Sequence, residues 1–267
     1  MDQNKIRLWE EGKTPLFDPA VGQEEPYIRP FFLPDAPDAP CMLVCPGGGY
    51  SVLCDTYEGE DICRKLNENG VHAAMLHYRV NPYLHPCMEL DAKRAIRTLR
   101  ANAAAYGIHP RKIGIMGFSA GGHLTCMAAL RFDEGIADGD GIDKVSSRPD
   151  FAAPCYAVTT LVGEAVTPTM PEHTVGEPVN AGLAASLSAQ NIVRPDAPPF
   201  FIWHTATDNL VPVENALMLA GALHRQGVSC ELHVFPEGCH GLGLAENTPT
   251  ADGWFGLMVK WIRFITK

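Results

Sequence analysis

The amino-acid sequence predicts an α/β protein in which helices cover both faces of a mostly parallel central sheet. Apolar runs typical of buried strands alternate along the chain with amphipathic helical segments, which is the rhythm of parallel βαβ units. The composition, with 46% hydrophobic and 19% charged residues, is that of a globular protein. A length of 267 residues suits one α/β domain. We therefore expect a single domain over residues 1–267.

Strands and helices follow each other from the first core strand to the C-terminus. The predicted strands are apolar runs that burial on both faces would favour: "CMLVCPGGGY", which stops at its glycines, then "VHAAMLHYRV", "KIGIMGF", "DFAAPCYAV", "PPFFIWHTA" and "CELHVF". The predicted helices are "EGEDICRKLNENG", "LDAKRAIRTLRANAAAYG", the segment after "KIGIMGF", "NALMLAGALHRQG" and "GWFGLMVKWIRFI". In the second helix an apolar side is formed by Ala92, Ala95, Ile96 and Leu99, and the arginines are expected on the opposite side.

One region breaks this regular alternation. Residues 159–194 are rich in proline, glycine, threonine and alanine and show no sustained periodicity. We predict loops and short helices that lie over one edge of the sheet. The segment is therefore interpreted as a cap-like insertion and not as a second domain.

Composition and charge exclude several classes of function. A formal net charge of −10 argues against nucleic-acid binding, because phosphate contacts need clustered lysine and arginine. No apolar stretch approaches the length of a membrane span. The nine cysteines show no paired C-x-x-C spacing, so we expect neither a metal nor a cofactor. The sequence leaves the oligomeric state open, and a homo-oligomer is compatible with it.

The cysteines and the first residues predict the cellular compartment of the protein. Free thiols inside apolar runs behave as small hydrophobic side chains, and five cysteines lie in such runs: Cys41, Cys45, Cys126, Cys155 and Cys230. The segment "MDQNKIRLWEEGKTPLF" has no apolar core of the kind that a signal peptide contains. We therefore predict a reducing, cytoplasmic setting. Cys239 is expected to be an inert loop thiol, with sensitivity to oxidation as the alternative.

The strongest catalytic signal is a serine between glycines. Ser119 lies in the G-x-S-x-G of "GFSAGGHL", directly after a predicted strand and before a predicted helix. Such a turn presents the hydroxyl clear of the sheet, at a helix N-terminus that favours developing negative charge. The alternative is a chance match in a glycine-rich chain, and the flanking strand and helix weigh against it.

A nucleophilic serine needs a base and an acid that orients the base. In the strand–turn–helix context the acid and then the histidine follow the serine along the chain. Asp208 comes at the downstream end of one predicted strand, and His240 lies in a glycine-flanked loop after the next. Glu214 is the alternative acid, although it is better explained as the first residue of a helix.

The remaining histidines are weaker candidates. His204 and His233 lie within predicted strands, where a satisfied structural histidine is expected. His123 follows the serine inside its helix, so packing or support of the site is the preferred interpretation. His77 and His85 show no spacing that requires catalysis.

Backbone donors for an oxyanion are expected in the loop "PGGGY", residues 46–50. Glycines let a backbone approach a substrate closely, and this loop follows the first core strand, as the oxyanion loop of esterases does. We assign the N–H groups of Gly48 and Gly49, together with that of Ala120. A phosphate cradle is the alternative, but the lysine of a P-loop and the spacing of a dinucleotide fingerprint are both missing.

The quoted motifs together resemble the α/β-hydrolase superfamily. More narrowly, "CPGGGY", "YRVNPYLHP", "IGIMGFSAGGHL", "WHTATDNLVPVENALMLAGAL" and "ELHVFPEGCHGLGLA" resemble the acetyl-xylan-esterase-like, BD-FAE-type bacterial esterases, relatives of the hormone-sensitive-lipase group. The likeness runs from about Cys41 to the C-terminus. It implies an α/β-hydrolase fold, Ser119 as nucleophile, His240 as base and then acid, and Asp208 as orienting acid. Pro46 departs from the histidine that begins this loop in the hormone-sensitive-lipase relatives.

The expected function is a metal-independent serine carboxylesterase that acts on short acyl esters, acetate first. Acylated sugars such as acetylated xylo-oligosaccharides are implied as substrates by the resemblance alone. One alternative is a peptidase of the prolyl-oligopeptidase type, although roughly forty residues before the first core strand cannot build its propeller. The other alternative is a binding protein that keeps this fold without catalysis.

Overall fold

A computed structural model describes residues 5–267, in which eight strands form one sheet. The strands are β1 (Ile6–Arg7), β2 (Tyr27–Phe31), β3 (Ala39–Cys45), β4 (His72–His77), β5 (Ile108–Phe118), β6 (Phe151–Cys155), β7 (Phe200–Thr205) and β8 (Cys230–Phe235). Their spatial order is β1-β2-β4-β3-β5-β6-β7-β8. The pairs from β4 to β8 are parallel, whereas β1–β2 and β2–β4 are antiparallel.

Eight α-helices connect and cover these strands in the described part of the chain. They are α1 (Asp61–Glu68), α2 (Cys87–Ala101), α3 (Ala103–Tyr106), α4 (Ala120–Leu130), α5 (Met170–Val175), α6 (Ala181–Ser186), α7 (Glu214–Arg225) and α8 (Trp254–Ile265). A π-helical turn at Thr56–Glu60 leads into α1, and short 3₁₀ turns occupy Pro19–Val21 and Ala189–Asn191.

Alternation along the central strands divides the core into two layers. On β3, Leu43 contributes to one hydrophobic cluster and Val44 to the other, as successive side chains of a strand point to opposite faces. The first cluster includes residues of α2, α4 and α7, and the second includes residues of α1 and α8. Helices therefore cover both faces of a mostly parallel sheet, and the predicted fold class is confirmed.

Three features of the fold differ from the sequence prediction. The predicted helix "LDAKRAIRTLRANAAAYG" is interrupted at Asn102, so that α2 and the short α3 replace it. Its arginines do not form a solvent-exposed side, because Arg94 and Arg97 are each 3% exposed. Arg94 pairs with Asp140 and Asp143, and Arg97 pairs with Asp133. Carboxylates from a loop that is distant in the sequence pair with these arginines and so offset the cost of burying their charges. Helical periodicity alone does not reveal these partners.

The antiparallel edge strands β1 and β2 are the third difference, since they lie in an N-terminal segment for which no strand was predicted. β2 contains Pro30 and lies next to a proline-rich stretch, which weakens a strand signal. Residues 159–194 contain α5, α6 and one 3₁₀ turn joined by loops. Among residues 5–267, no helix combines the length and apolar character that crossing a membrane requires.

Candidate active site

The side chains predicted for catalysis lie at the carboxyl ends of three parallel strands. Ser119 directly follows β5, Asp208 comes after the end of β7, and His240 comes after the end of β8. Because parallel strands end at the same edge of the sheet, the topology brings these loops together. The histidine loop is defined here as residues 238–243, and the glycine loop as residues 46–50, which follow β3.

Ser119 occupies a strained turn between β5 and α4. Its φ of 54° and ψ of −117° lie in a region that side chains disfavour, and such strain persists where the surrounding structure enforces it. Gly121 permits the turn, because a Cβ atom at this position would collide with the carbonyl oxygen of Cys45. The tight approach of helix to strand places the Ser119 hydroxyl at the N-terminus of α4.

Ser119, His240 and Asp208 form one continuous chain of hydrogen bonds. The Ser119 Oγ lies 2.8 Å from His240 Nε2, and His240 Nδ1 lies 2.8 Å from Asp208 Oδ2. The carboxylate can only accept, so Nδ1 carries a proton and donates a hydrogen bond to Asp208. Nε2 is then free to accept from the serine hydroxyl, which is the arrangement that a general base requires.

Asp208 is held in its ionised form by its surroundings. Burial opposes ionisation, but hydrogen bonds from His204, His240 and the backbone N–H groups of Leu210 and Val211 outweigh it and keep the pKa of Asp208 well below its usual range. The carboxylate therefore stays charged at neutral pH.

His204 is more than the satisfied structural histidine that its strand position predicts. Its Nε2 lies 3.0 Å from the carbonyl oxygen of Val211 and 3.3 Å from Asp208 Oδ2, while its Nδ1 is buried without a hydrogen-bond partner among the described residues. Both neighbours of Nε2 are acceptors, so this nitrogen carries the proton. His204 therefore supports Asp208 from inside β7. Glu214, the alternative acid, begins α7 and is not part of the chain of hydrogen bonds.

The glycine loop offers unused backbone donors next to Ser119. Within residues 5–267, the N–H groups of Gly48 and Gly49 donate to no protein acceptor. The Ala120 N–H belongs to the first residue of α4, where an N–H has no partner inside the helix. Gly48, Gly49 and Ser119 line the same cavity. These are the donors assigned from the sequence to an oxyanion.

The glycine loop is fixed by side chains from distant parts of the chain. The Tyr78 hydroxyl donates to the carbonyl oxygen of Pro46 at 2.6 Å, and His173 of α5 binds the carbonyl oxygen of Gly49 at 2.8 Å. The Tyr50 hydroxyl donates to His123 Nδ1 at 2.7 Å, and His123 Nε2 donates to the carbonyl oxygen of Leu187. The supporting role preferred for His123 thus has a structural basis, whereas His173 and Tyr78 were missed.

Glu58 and Tyr156 form a buried pair beside the site that sequence reasoning also missed. Glu58 Oε2 accepts from the Gly47 N–H at 2.9 Å, and Oε1 accepts from the Tyr156 hydroxyl at 2.6 Å. Burial raises the pKa of Glu58, while the two hydrogen bonds and the charge of His240 act in the opposite direction. Glu58 was included in a predicted amphipathic helix, which carries no signal of a contact with the glycine loop.

A cavity of about 300 Å³ opens onto Ser119. Its wall is mostly apolar, and Val52, Tyr57 and Leu210 at its edge are exposed. The lining residues are Gly48, Gly49, Val52, Cys54, Tyr57, Glu58, Ser119, Val158, Thr167, Pro168, Thr169, Met170, Leu210, His240 and Gly241. Residues 159–194 thus contribute four residues to the wall. In the described chain no group of His, Cys, Asp and Glu side chains is arranged to hold a metal ion.

Comparison with known proteins assigns the chain to a family. The family model described as BD-FAE matches residues 31–223, which is well over half of the chain. This chain belongs to the BD-FAE family. The resemblance found in the sequence motifs is therefore confirmed.

Several curated proteins are similar in sequence to this BD-FAE protein. The endo-1,4-beta-xylanase B of Butyrivibrio fibrisolvens is 36% identical over 220 residues, which cover 81% of this chain and 34% of that protein. The acetylxylan esterase of Xylanibacter ruminicola is 31% identical over 238 residues, which cover 88% of this chain and 47% of that protein. The chain thus spans between a third and a half of the length of these relatives.

A solved structure of similar length shares the whole fold. The acetyl ester-xyloside bifunctional hydrolase from Caldicellulosiruptor lactoaceticus is 43% identical, with a TM-score of 0.94. The match covers 98% of this chain and 96% of that chain. The α/β-hydrolase fold of this BD-FAE protein is therefore shared along nearly its entire length.

Proposed function

We propose that this BD-FAE protein is a serine carboxylesterase that hydrolyses short acyl esters, acetate first. The observation that carries the proposal is the unbroken chain Ser119–His240–Asp208, which faces unused backbone donors across one cavity. An activated hydroxyl beside an oxyanion site is the machinery of acyl transfer. The relatives named for acetylxylan and acetyl ester hydrolysis support the same reaction class.

The mechanism has two steps that share one histidine. His240 Nε2 takes the proton of Ser119 as Oγ attacks the ester carbonyl, and the N–H groups of Gly48, Gly49 and Ala120 stabilise the oxyanion. His240 then gives the proton to the departing alcohol, which leaves an acetyl group on Ser119. In the second step His240 takes a proton from water as the water oxygen attacks the acyl carbonyl. His240 then returns this proton to Ser119 Oγ as the bond between Oγ and the acyl carbon breaks and acetate leaves. Asp208 keeps its negative charge throughout and stabilises the imidazolium.

We propose an acylated sugar, such as an acetylated xylo-oligosaccharide, as the natural substrate class. The relatives named acetylxylan esterase and acetyl ester-xyloside bifunctional hydrolase support this choice. The cavity has about 300 Å³, roughly ten times the volume of one water in the liquid, so it has room for more than an acetyl group. Glycoside cleavage normally uses two carboxyl groups, and among described residues Glu58 alone is acidic in the cavity wall. We therefore propose ester hydrolysis, and not glycoside cleavage, as the reaction in this cavity.

The test compares wild type with Ser119→Ala on p-nitrophenyl acetate, butyrate and octanoate. We expect wild-type activity to be highest on acetate and kcat to fall by at least about 10⁴-fold in the variant on every ester. Highest activity on octanoate would overturn the preference for short acyl groups. An aminoacyl p-nitroanilide serves as the peptidase control, and its rapid cleavage would favour the peptidase alternative.

A protein with this fold that only binds ligands would behave differently. Wild type and Ser119→Ala would then hydrolyse p-nitrophenyl acetate equally slowly, because Ser119 would take no part in the reaction. That outcome would overturn the esterase proposal.

A further inference from the structure

Glu58 is a carboxylate that the proposed mechanism does not use, yet it is buried in the wall of the cavity that holds Ser119 and His240. It is 2% exposed. Removing a carboxylate from water is costly unless its oxygens find donors. Glu58 meets this condition with two bonds, one from the Gly47 N–H and one from the Tyr156 hydroxyl. These two donors belong to different segments of the site.

Tyr156 extends this connection to the histidine loop. Its hydroxyl accepts a hydrogen bond from the Gly243 N–H at 2.9 Å, three residues beyond His240. Its ring packs edge-on against the His240 ring, with 5.1 Å between the centroids. Tyr156 itself is 2% exposed. A continuous polar chain Gly47–Glu58–Tyr156–Gly243 therefore runs beneath the cavity from the glycine loop to the histidine loop.

This chain of hydrogen bonds joins the loop that carries the oxyanion donors to the loop that carries His240. Gly47 immediately precedes the unused donors Gly48 and Gly49, so a bond at its N–H restricts the backbone that carries them. Gly243 lies in the loop that carries His240. Oxyanion donors and a general base both lose effectiveness when they are displaced by a fraction of an ångström.

We propose that Glu58 and Tyr156 are positioning residues that fix the glycine loop and the histidine loop relative to each other, so that oxyanion donors and base meet the same tetrahedral intermediate. The inference rests on the proposed esterase function. It differs from a purely structural role, in which the pair stabilises the fold and leaves the reaction of each folded molecule unchanged.

Tyr156→Phe tests the hydroxyl without removing the ring. The variant loses the bonds to Glu58 and Gly243 but keeps the contact with His240. We expect kcat on p-nitrophenyl acetate to fall by about 10- to 100-fold, with KM changed by less than about twofold, because the pair acts on the transition state. The rate is expressed per active site titrated with an organophosphate, so that unfolded protein does not enter it.

Tyr83→Phe is the matched control. The Tyr83 hydroxyl also accepts from a backbone N–H and donates to an acceptor, in this case the N–H and carbonyl oxygen of Asp18. It is buried but does not line the cavity. Both variants should lose thermal stability, and only Tyr156→Phe should lose kcat.

Glu58→Gln tests the carboxylate. An amide has one acceptor and one donor end, so it cannot accept from both the Gly47 N–H and the Tyr156 hydroxyl. We expect a loss of kcat similar to that of Tyr156→Phe. In the double variant the loss should be clearly smaller than the product of the single losses, since both changes break the same connection.

Affinity for a transition-state analogue separates positioning from stability. A trifluoromethyl ketone forms a tetrahedral adduct with a nucleophilic serine, so its inhibition constant should rise in Glu58→Gln and Tyr156→Phe in parallel with the loss of kcat/KM. The proposal is overturned if both variants keep wild-type kcat and inhibitor affinity and lose only stability, as Tyr83→Phe does. It is also overturned if the two losses multiply. Activity retained in Ser119→Ala would instead contradict the proposed function itself.

Discussion

The two sides of the cavity are built in different ways. On one side, Ser119, Asp208 and His240 each follow the end of a parallel strand, and two hydrogen bonds of 2.8 Å join them. On the other side, the glycine loop follows β3 and is bound by side chains from separate segments, including Glu58, Tyr78 and His173. The first side depends on where strands end, and the second depends on contacts between distant parts of the chain.

Because of this difference, we expect the two sides to tolerate substitutions to different degrees. The reactive side, which carries Ser119, Asp208 and His240, is a short series in which no member has a substitute, so one atom can decide the rate. The glycine loop has several supports, so the loss of one is expected to weaken catalysis without abolishing it. Substitutions on the two sides should therefore differ in the size of their effects.

Asp208→Asn should break the reactive side. An amide at this position cannot accept and orient as the carboxylate does, so the proton of His240 moves to the wrong nitrogen. We expect kcat to fall by about 10⁴-fold, the size found when the corresponding aspartate of a serine protease is changed. The measurement is steady-state hydrolysis of p-nitrophenyl acetate.

Glu214→Gln is the control for that experiment. Glu214 lies in the first turn of α7 and takes no part in the chain of hydrogen bonds, so the variant should keep wild-type turnover. If Glu214→Gln loses activity and Asp208→Asn keeps it, the assignment of the acid is wrong.

Gly47→Ala should disturb the glycine loop directly. A Cβ atom at this position would collide with Glu58 Oε2 and lie 2.8 Å from the carbonyl oxygen of Phe118. Because the loop would have to move away from Ser119, we expect kcat to fall by about 10²- to 10³-fold, as for the loss of one oxyanion donor. The rates are compared per titrated active site.

Gly256→Ala provides the matched glycine substitution. Gly256 lies in α8, and apart from its chain neighbours and the backbone of its own helix no atom lies within 4 Å of its added Cβ. This variant should keep wild-type kcat and gain up to about 1 kcal/mol in the free energy of unfolding, since alanine favours helix. Equal kcat in wild type and Gly47→Ala would show that the loop is not held as tightly as the structure indicates.

The catalytic residues could be predicted from the sequence, whereas some residues that support the glycine loop could not. The G-x-S-x-G turn, Asp208 and His240 were found from the sequence because each follows an apolar strand signal within a few residues. Glu58 and His173, which support the glycine loop, were not found, since they contact it across 11 and 124 residues of sequence. Neither residue lies in a motif, and their pairing depends on tertiary packing.

The strands and helices show the same difference between features that follow from a local sequence pattern and features that depend on contacts between distant residues. The six parallel strands β3 to β8 coincide with the apolar runs, because burial on both faces leaves a continuous hydrophobic signal. The edge strands β1 and β2 have no such signal. The buried arginines of α2 were misplaced because their carboxylate partners lie 36 to 49 residues away along the chain.

The smallest expected effect is that of His123 on the pH dependence of the free energy of unfolding. Burial lowers its pKa from 6.5 to about 4, so the folded state favours neutral His123. As pH falls from 6.5 towards 4 the unfolded state binds the proton first, and the free energy of unfolding should decrease, by roughly 3 kcal/mol from this residue alone. Below pH 4 both states are protonated and the decrease from His123 ends.

Urea unfolding at a series of pH values measures this contribution. His123→Phe should show a shallower decrease between pH 6.5 and 4 than wild type, because the titrating group is gone. His224→Gln is the control for the loss of a histidine, since His224 is exposed. The same slope in all three proteins would contradict the role assigned to burial of His123.

Covalent labelling is the most direct test of whether Ser119 is a nucleophile activated by His240. Wild type and Ser119→Ala are treated with diethyl p-nitrophenyl phosphate, and intact-mass spectrometry with peptide mapping locates the adduct. We predict one diethylphosphoryl group on Ser119 of the wild type, loss of esterase activity in step with labelling, and an unlabelled variant. A label on another residue, or loss of activity with Ser119 unmodified, would contradict the account.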